Sequence, residues 1–506
     1  MLLLRSPSGD SEPPRAAPPD CTESVPPPLA RPALAVLAAA VALALSACAT
    51  PVAKPAVEIP AQFATAAVSA DEPETAWWES FGDPVLSDLV RRAARENRDV
   101  RIAAERVRAA RAGESISRSW LFPSVGVEAT GAKLSTGYSA TRKQLVPDVN
   151  LGAAGVDVSW ELDLSGRLRA GAAAAAADTL VATHSAEGVR LLVMTDVASN
   201  YFMLTGAMRQ LETVRAISAA QDETLRLVKA RQRAGLATPF DVERAQTEAS
   251  SARAAIPPLE SAIAITRHRI AVLVGDQAFN GANIVPWTGD IVVPTARPGQ
   301  PATLLERRPD LLASKAQLDA ANARRQQAAA EWFPRLFVGA VFGRESLDVN
   351  GIDLGAARFT NVAGLLSMPI FNARRTQAIN DVAEHGQSEA VLRYEDSIVR
   401  ALEDVENALA ALGAERQRAG SLQEAAAAAD AALARAQSLY DRGQIDLLPL
   451  LDAQRMRQSV RLGANDSNTQ LLLDSVQLYK ALGGGWQIFE PVGAPASASA
   501  LQSPQS

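Results

Sequence analysis

The sequence predicts a mainly α-helical protein with a smaller β-strand portion of membrane type, built from one unit that occurs twice. Motifs of the first half return at a nearly constant spacing: 211 positions separate Asp99 from Asp310, and 208 separate Gly235 from Gly443. Two stretches without proline are long enough for helices of about 100 Å, and four short segments alternate between apolar and polar residues. Such constant spacing over a long span indicates an internal duplication.

The N-terminal region predicts export and a lipid anchor. Residues 33–44 are apolar and uncharged, and Leu45-Ser46-Ala47-Cys48 follows them. This run has the length of a secretory signal and is too short to span a bilayer. Its ending resembles the bacterial lipobox, so we expect removal of residues 1–47 and covalent lipid on Cys48; an ordinary signal peptide with an incidental cysteine is the alternative. The first two dozen residues are rich in proline and acidic residues, unlike a signal, and we expect translation to begin beyond them.

The two proline-free stretches, from about residue 168 to 234 and from 374 to 442, predict long helices. In the second stretch, apolar residues from Val391 to Leu412 recur at intervals of three and four. A mean step near 3.5 is typical of left-handed coiled coils. A soluble coiled-coil rod would show the same pattern, so these helices alone do not define a function.

A glycine-containing turn ends each long helix, at 233–239 and at 442–447, and a second helix then returns along the first. Glycine suits the left-handed position that follows a helix end. Thr238 and Asp446 are predicted to cap the two return helices, and Pro257-Pro258 is predicted to kink or break the first of them. Each half therefore contains a long helical hairpin.

Alternating segments between the helices predict four strands, at 122–133, 153–164, 334–344 and 361–371. Their lengths suit tilted strands that cross a bilayer, and the polar connections 134–152 and 345–360 are predicted to be surface loops. Four strands cannot close a membrane barrel, which needs about 8, and open sheet edges are not viable in lipid. We therefore expect copies of the chain to share strands; a soluble sandwich would leave the lipid anchor and the apolar faces unexplained.

Four motifs stand in a specific order along the chain: Trp77-Trp78 followed by Phe81-Gly82-Asp83-Pro84, then Asn97-Arg98-Asp99-Val100, then Trp160-Glu161-Leu162-Asp163-Leu164-Ser165-Gly166-Arg167, and finally Leu478-Tyr479-Lys480-Ala481-Leu482-Gly483-Gly484-Gly485-Trp486. With these motifs the chain resembles the TolC/OprM-like outer-membrane efflux channels, in particular their NodT-type lipoprotein branch. The resemblance covers nearly everything from Cys48 to Trp486.

The resemblance implies a fold and a function. The fold is a homotrimer in which twelve strands, four from each chain, form an outer-membrane β-barrel that continues as a periplasmic α-helical barrel. The function is that of a passive conduit in a Gram-negative outer membrane, expelling drugs and toxic compounds that an inner-membrane pump of the resistance-nodulation-division (RND) class hands over through a periplasmic adaptor. The expected segments are a signal (1–47), a lipidated tether (48–76), two structural repeats (77–298 and 299–486) and a flexible tail (487–506).

The resemblance also assigns roles to the two helical turns, which form the periplasmic tips and contact the adaptor in this family. The matching tip residues are Gly235, Leu236, Thr238, Asp241, Gly443, Ile445 and Asp446. Positions just inside the second tip ring the closed periplasmic aperture.

The aperture residues that the resemblance implies are Leu448, Asp452 and Arg455, which lie four and three positions apart and so share one helical face. Three copies of Leu448 would form an apolar constriction and three Asp452 carboxylates a ring that attracts cations. Arg455 would bridge to a neighbouring chain and lock the closed state. An exposed Asp–Arg pair with no gating role is the alternative.

No enzyme signature is present in the sequence. His184, His268 and His385 are isolated, without a second ligand at metal-binding spacing, and there is no phosphate-binding G-x-x-x-x-G-K-[ST] loop. We expect no cofactor, metal or catalytic residue, and the net charge of −6 argues against a nucleic-acid surface. The alternatives within reach are an exit duct for type I protein secretion, a periplasmic adaptor and a structural coiled-coil lipoprotein; the duplication of both hairpin and strands disfavours the last two.

Overall fold

The computed structural model describes Val52 and residues 55–65, 74–276, 284–287, 291–295 and 297–493. The chain divides into residues 1–51 and 52–506. The first unit, with the expected signal and the lipidation site Cys48, lies outside the described residues.

Helices make up most of the described chain. The first repeat contains α1 (Pro84–Glu96), α2 (Arg98–Ser119), β1 (Ser124–Leu134), a short α3 (Ala140–Lys143), β2 (Val149–Leu162), α4 (Arg167–Arg233), α5 (Pro239–Ala254) and α6 (Ile256–Leu273). The second contains α7 (Leu304–Arg307), α8 (Pro309–Ala329), β3 (Arg335–Val349), β4 (Ile352–Ser367), α9 (Arg375–Asp441) and α10 (Leu447–Ala481). None of the helices within the described ranges has the length and apolar character required to cross a membrane.

The two long helices confirm the prediction from the proline-free stretches. α4 and α9 each contain 67 residues, which corresponds to about 100 Å. The return path of the first hairpin is broken at Ala255, between α5 and α6, because Pro257 and Pro258 supply no backbone N–H to the preceding turn. In the second hairpin α10 returns without a break.

The four strands form one antiparallel sheet in the order β1-β2-β3-β4. All four predicted strands are present, although the fourth ends at Ser367 and not at 371. The predicted surface loop 345–360 is wrong, because β3 and β4 extend into it and are joined by a two-residue turn. Asn350 and Gly351 form this turn with φ angles of 50° and 83°, the backbone that favours Asn-Gly in tight hairpins. The other connection is shorter than predicted, since β2 already begins at Val149.

Equivalent contacts close the two repeats. In the first, the Asn97 side chain, which caps α2, donates a hydrogen bond to the Leu273 carbonyl at the end of α6 (2.8 Å). In the second, Arg308, which precedes α8, donates to the Ala481 carbonyl at the end of α10 (3.1 Å) and forms ion pairs with Asp310 and Asp404. The duplicated geometry is thus kept with a different side chain in each repeat.

The glycines that follow these helix ends are also equivalent. Gly275 and Gly483 have φ angles of 71° and 70°, the left-handed conformation that glycine adopts without steric cost. A Cβ atom on Gly275 would lie 2.6 Å from the Glu96 carbonyl oxygen, and one on Gly483 would lie 2.8 Å from the Arg308 Cα. Both positions therefore require glycine for the turn and for close packing.

Both terminal segments of the described chain pack on the long helices. Residues 55–65 lie against α9, where the Glu395 carboxylate accepts a hydrogen bond from the Ala56 N–H (2.8 Å) and Phe63 is buried. Residues 486–493 lie against α2 and α4, where Arg190 donates to the Glu490 carbonyl (2.8 Å). The expectation of a flexible tail is therefore corrected for residues 487–493: Phe489 stacks on Trp78 and Val492 is buried, so this part is held by apolar burial.

Candidate functional site

The first helical turn is a compact, fully capped tip. After α4, Gly235 takes a φ of 76°, and the N–H of Leu236 donates back to the Arg231 carbonyl (2.9 Å). Thr238 and Asp241 then form a capping box: the Asp241 carboxylate accepts from the Thr238 N–H (2.8 Å), and the Thr238 hydroxyl accepts from the Asp241 N–H (3.2 Å). These hydrogen bonds, with that from the Thr238 backbone first, lower the pKa of Asp241. The predicted cap by Thr238 is confirmed.

Two apolar side chains project from this capped turn. Leu236 is 70% exposed and Phe240, in the first turn of α5, is 64% exposed. The Arg244 guanidinium lies 5.7 Å from the Phe240 ring centroid. Sequence reasoning named Leu236 and missed Phe240, although a phenylalanine directly after the helix-starting Pro239 is a readable signal. The tip thus presents an apolar pair on a rigid backbone.

The second turn has the same backbone and a weaker cap. Gly443 has a φ of 70° and donates to the Tyr440 carbonyl (2.9 Å), and Ile445 packs partly against the core between the hairpins. Asp446 occupies the N-cap position of α10, but its side chain makes no capping hydrogen bond. The prediction that the Asp446 side chain caps α10 is therefore wrong; Pro449 at the third helical position lacks one of the two N–H groups that such a cap could use.

The three predicted aperture residues share an exposed face of α10, close behind this turn. Leu448 is 46% exposed, and the side chains of Asp452 and Arg455 are 61% and 49% exposed. Arg455 Nη1 lies 3.8 Å from Asp452 Oδ1. The sequence spacing therefore brings these residues together as expected.

Arg455 has a second and shorter contact that sequence reasoning missed. Its Nε donates to Glu248 Oε1 of α5 at 2.9 Å, and the Glu248 side chain is only 17% exposed. This hydrogen bond, followed by the coulombic attraction of Glu248, raises the pKa of Arg455. Glu248 stands 207 positions away in the other repeat, and no local pattern connects them. The contact joins the two hairpins within one chain.

An apolar core below the tips also joins the hairpins. It contains side chains from α4, α5, α9 and α10 and is formed by Leu225, Val228, Ala245, Ala249, Tyr440, Leu447, Leu450 and Leu451. A hydrogen bond from Gln454 to the Thr224 hydroxyl (3.2 Å) crosses between α10 and α4 beside it. The hairpins therefore share an apolar core in addition to the contact between Arg455 and Glu248.

The sheet lies at the opposite end of the long helices, and its two faces carry side chains of different polarity. One face, which we call the apolar face, carries Val125, Val127, Val156, Val158, Trp160, Val338, Ala340, Phe342, Val362 and Leu366. The other, the acidic face, carries Ser124, Glu128, Thr130, Asp157, Ser159, Glu161, Glu345 and Asn361. The separation is incomplete: Leu151, Phe337, Phe359 and Leu365 also lie on the acidic face, and Lys133, Arg344 and Arg358 lie on the apolar face. In the described chain β1 and β4 are edge strands, each paired on one side.

Comparison with known proteins identifies the class. The model of the family described as "Outer membrane efflux protein" matches residues 89–276 and 301–484. The chain belongs to the outer membrane efflux protein family. The resemblance stated from the sequence is thereby confirmed.

Individual relatives of this outer membrane efflux protein are similar over nearly their whole length. Outer membrane protein OprJ of Pseudomonas aeruginosa is 31% identical over 468 residues, covering 90% of this chain and 97% of OprJ. The pyoverdine export outer membrane protein OpmQ of Pseudomonas putida is 32% identical over 468 residues, covering 89% and 97%. The solved structure of the outer-membrane channel OprN superposes with a TM-score of 0.78 at 29% identity, over 87% of this chain and 100% of OprN. The protein is an outer-membrane efflux channel component, as predicted.

Within the described ranges no group of three or more His, Cys, Asp or Glu residues is arranged to hold a metal ion. His184 instead lies 2.9 Å from the Glu187 carboxylate of the same helix.

Proposed function

We propose that the protein works as a homotrimer in which three four-stranded sheets close into one twelve-stranded outer-membrane barrel. The observation that carries this proposal is the sheet itself, which has two unpaired edges and an exposed apolar face. Unpaired strand edges are not tolerated in lipid, and β1 of one chain is antiparallel to β4 of the next when the sheets are placed side by side. The apolar face then contacts lipid and the acidic face lines the channel.

The hairpins continue this channel as an α-helical barrel in the periplasm, and the channel is a passive conduit. The two tips contact a periplasmic adaptor, which links the channel to an inner-membrane pump of the RND class. The exposed apolar pair Leu236 and Phe240 beside the capped turn supports this role, because a rigid apolar patch with a polar border is typical of a protein-binding surface. Gly235, Gly443, Ile445 and Asp446 complete the proposed adaptor contacts.

The aperture lies at the N-terminal part of α10, next to the second tip. Leu448 supplies an apolar constriction and Asp452 a carboxylate ring, two devices by which channels restrict passage. Arg455 holds this face closed through Glu248 of the same chain, and its contact with Asp452 orients the ring. Loosening of the Arg455 contacts by the adaptor opens the aperture. Covalent lipid on Cys48 adds a membrane anchor to the barrel.

The test is the protein mass of the particle extracted from outer-membrane fractions in mild detergent, measured by light scattering, together with conductance in planar bilayers. Three chains per particle and a conducting pore are the expected results. A monomeric particle without conductance would contradict the shared barrel. A Cys48→Ser variant that loses lipid labelling but retains trimer and conductance would separate the anchor from the channel.

A further inference from the structure

Two arginines stand side by side at the outer end of the apolar face. Arg344 of β3 is the direct partner of Arg358 of β4 in the antiparallel register, so their Cβ atoms are about 5 Å apart. Like charges directly opposite each other destabilise a strand pair. An anion between the two guanidinium groups would remove this repulsion.

No carboxylate of the described chain serves as that anion. Neither Arg344 nor Arg358 forms an ion pair within the described residues, although both are exposed. The nearby Asp348 and Asp353 lie closer to the turn, where Asp348 accepts from the Gly351 N–H (3.0 Å) and Asp353 from the Gly355 N–H (2.8 Å). Glu345 follows Arg344 directly but lies on the acidic face. The arginine pair therefore has a defined place in the sheet and no ion-pair partner among the residues that the structure describes.

The position of the pair along the strand matches the membrane boundary. The helices leave the sheet at its other end, so the β3–β4 turn is the extracellular end. From Leu336, where the apolar face begins on β3, to Arg344 is eight positions, or about 26 Å along the strand. With a tilt of about 40° this is about 20 Å along the membrane normal, close to the lipid-facing band of about 25 Å in such barrels. Arginine side chains extend further outward from this level toward the headgroups.

We propose that Arg344 and Arg358 bind the phosphate groups of the lipopolysaccharide that forms the outer leaflet, an inference that rests on the proposed barrel because closure turns this face toward lipid. Guanidinium groups match phosphate oxygens with paired charge-assisted hydrogen bonds. Phe342 and Val362 continue the same face below the pair and are exposed. An anionic ligand with acyl chains satisfies the arginines and the apolar surface together, whereas a free phosphate would satisfy only the arginines.

The experiment uses the full-length protein in mild detergent, titrated with bisphosphorylated lipid A and, in parallel, with the fully dephosphorylated lipid; bound lipid is counted by native mass spectrometry. We expect the double variant Arg344→Gln/Arg358→Gln to bind the phosphorylated lipid at least about tenfold more weakly. The variant Arg344→Lys/Arg358→Lys should lose less, because it keeps the charges but not the paired geometry. Arg142→Gln, a charge change in the extracellular connection outside the strands, is the matched control and should bind like the unmodified protein.

Equal binding of the dephosphorylated lipid would overturn the proposal, since the contact would then be apolar. Displacement of lipid A by inorganic phosphate at comparable concentration would also overturn it and would make the pair a site for free anions. Light scattering and conductance on the same preparations separate this proposal from the channel itself. A conducting trimer with no phosphate-dependent lipid binding refutes only the lipid site, whereas a non-conducting monomer refutes the barrel on which it rests.

Discussion

The contact between Arg455 and Glu248 offers the sharpest test of the aperture. Replacing Glu248 by glutamine removes the charge that holds Arg455 while changing nothing on the exposed face of Leu448 and Asp452. The variant therefore alters the force that closes the aperture and leaves the lining of the aperture intact. Glu243→Gln on the same helix, where Glu243 is exposed and only its backbone carbonyl accepts a hydrogen bond, is the matched control.

The expected magnitude follows from the exposure of the pair. Because Arg455 is about half exposed and Glu248 largely covered, the pair contributes roughly 0.5–1 kcal/mol in each chain. Three copies acting on one aperture give about 1.5–3 kcal/mol, which changes the ratio of open to closed channels roughly ten- to hundredfold. The double variant Asp452→Ala/Arg455→Ala removes both contacts of the ring and should open the channel at least as much.

Single-channel recording in planar bilayers measures the effect directly. Glu248→Gln should raise the open probability with little change in the conductance of the open level, and Asp452→Ala/Arg455→Ala should raise conductance as well. In the unmodified protein, raising ionic strength should increase the open probability because salt screens the exposed part of the Arg455–Glu248 pair. In Glu248→Gln the open probability should change less with ionic strength. An unchanged open probability for Glu248→Gln at low salt would refute the assignment of this contact to closure.

Three further predictions concern the helical frame. Gly275→Ala should destabilise the protein by about 3 kcal/mol or more in urea unfolding followed by circular dichroism, since a Cβ would both strain the left-handed backbone and contact the Glu96 carbonyl. The control Gly443→Ala, where a Cβ meets nothing within 4 Å, should lower the free energy of unfolding by only about 1 kcal/mol. Equal losses in the two variants would contradict the packing explanation. Asp83→Ala removes the cap of α1 and leaves the buried Tyr201 hydroxyl without its acceptor (2.6 Å). We therefore expect the free energy of unfolding to fall by about 2–4 kcal/mol in the same assay. A fall no larger than that for an exposed cap would show that the hydrogen bond from Tyr201 contributes nothing. Arg461, and then Arg457, lower the pKa of Asp430. The stabilisation from this carboxylate is therefore full above its unfolded value near 4 and is lost as the pH falls through the depressed folded value. Asp430→Asn should weaken the fall in melting temperature on acidification below about pH 4, and an unchanged pH dependence in this range would refute the role.

Much of the architecture could be predicted from the sequence because it depends on local signals. The absence of proline defines the long helices, the alternation of side chains defines the strands, and glycine followed by Thr238 and Pro239 defines the first tip. Where local signals were incomplete the prediction failed: the polar composition of 345–360 suggested a loop, although Asn350-Gly351 alone was sufficient to join two extended strands.

Contacts between distant positions could not be predicted in this way. Glu248 meets Arg455, and Tyr201 meets Asp83, only because helices far apart in sequence are packed side by side. The burial of residues 487–493 on the first repeat likewise depends on the helices that receive them, and it was missed when residues 487–506 were predicted as one flexible tail. Of these contacts, the one between Glu248 and Arg455 joins the two hairpins.

The comparison of the two repeats shows where the duplicated unit has been free to diverge. The backbone positions have stayed equivalent, since Gly275 and Gly483 keep the same left-handed conformation, Gly275 against the end of α1 and Gly483 against Arg308 before α8. The caps have not: the capping box of the first tip secures the start of α5, whereas Asp446 makes no side-chain cap at the start of α10 and Pro449 removes one of its two possible donors. A helix start without a side-chain cap is less stable by about 1 kcal/mol. The hairpin that carries Leu448 is thus the one whose tip is less firmly held, and a change of aperture would begin there.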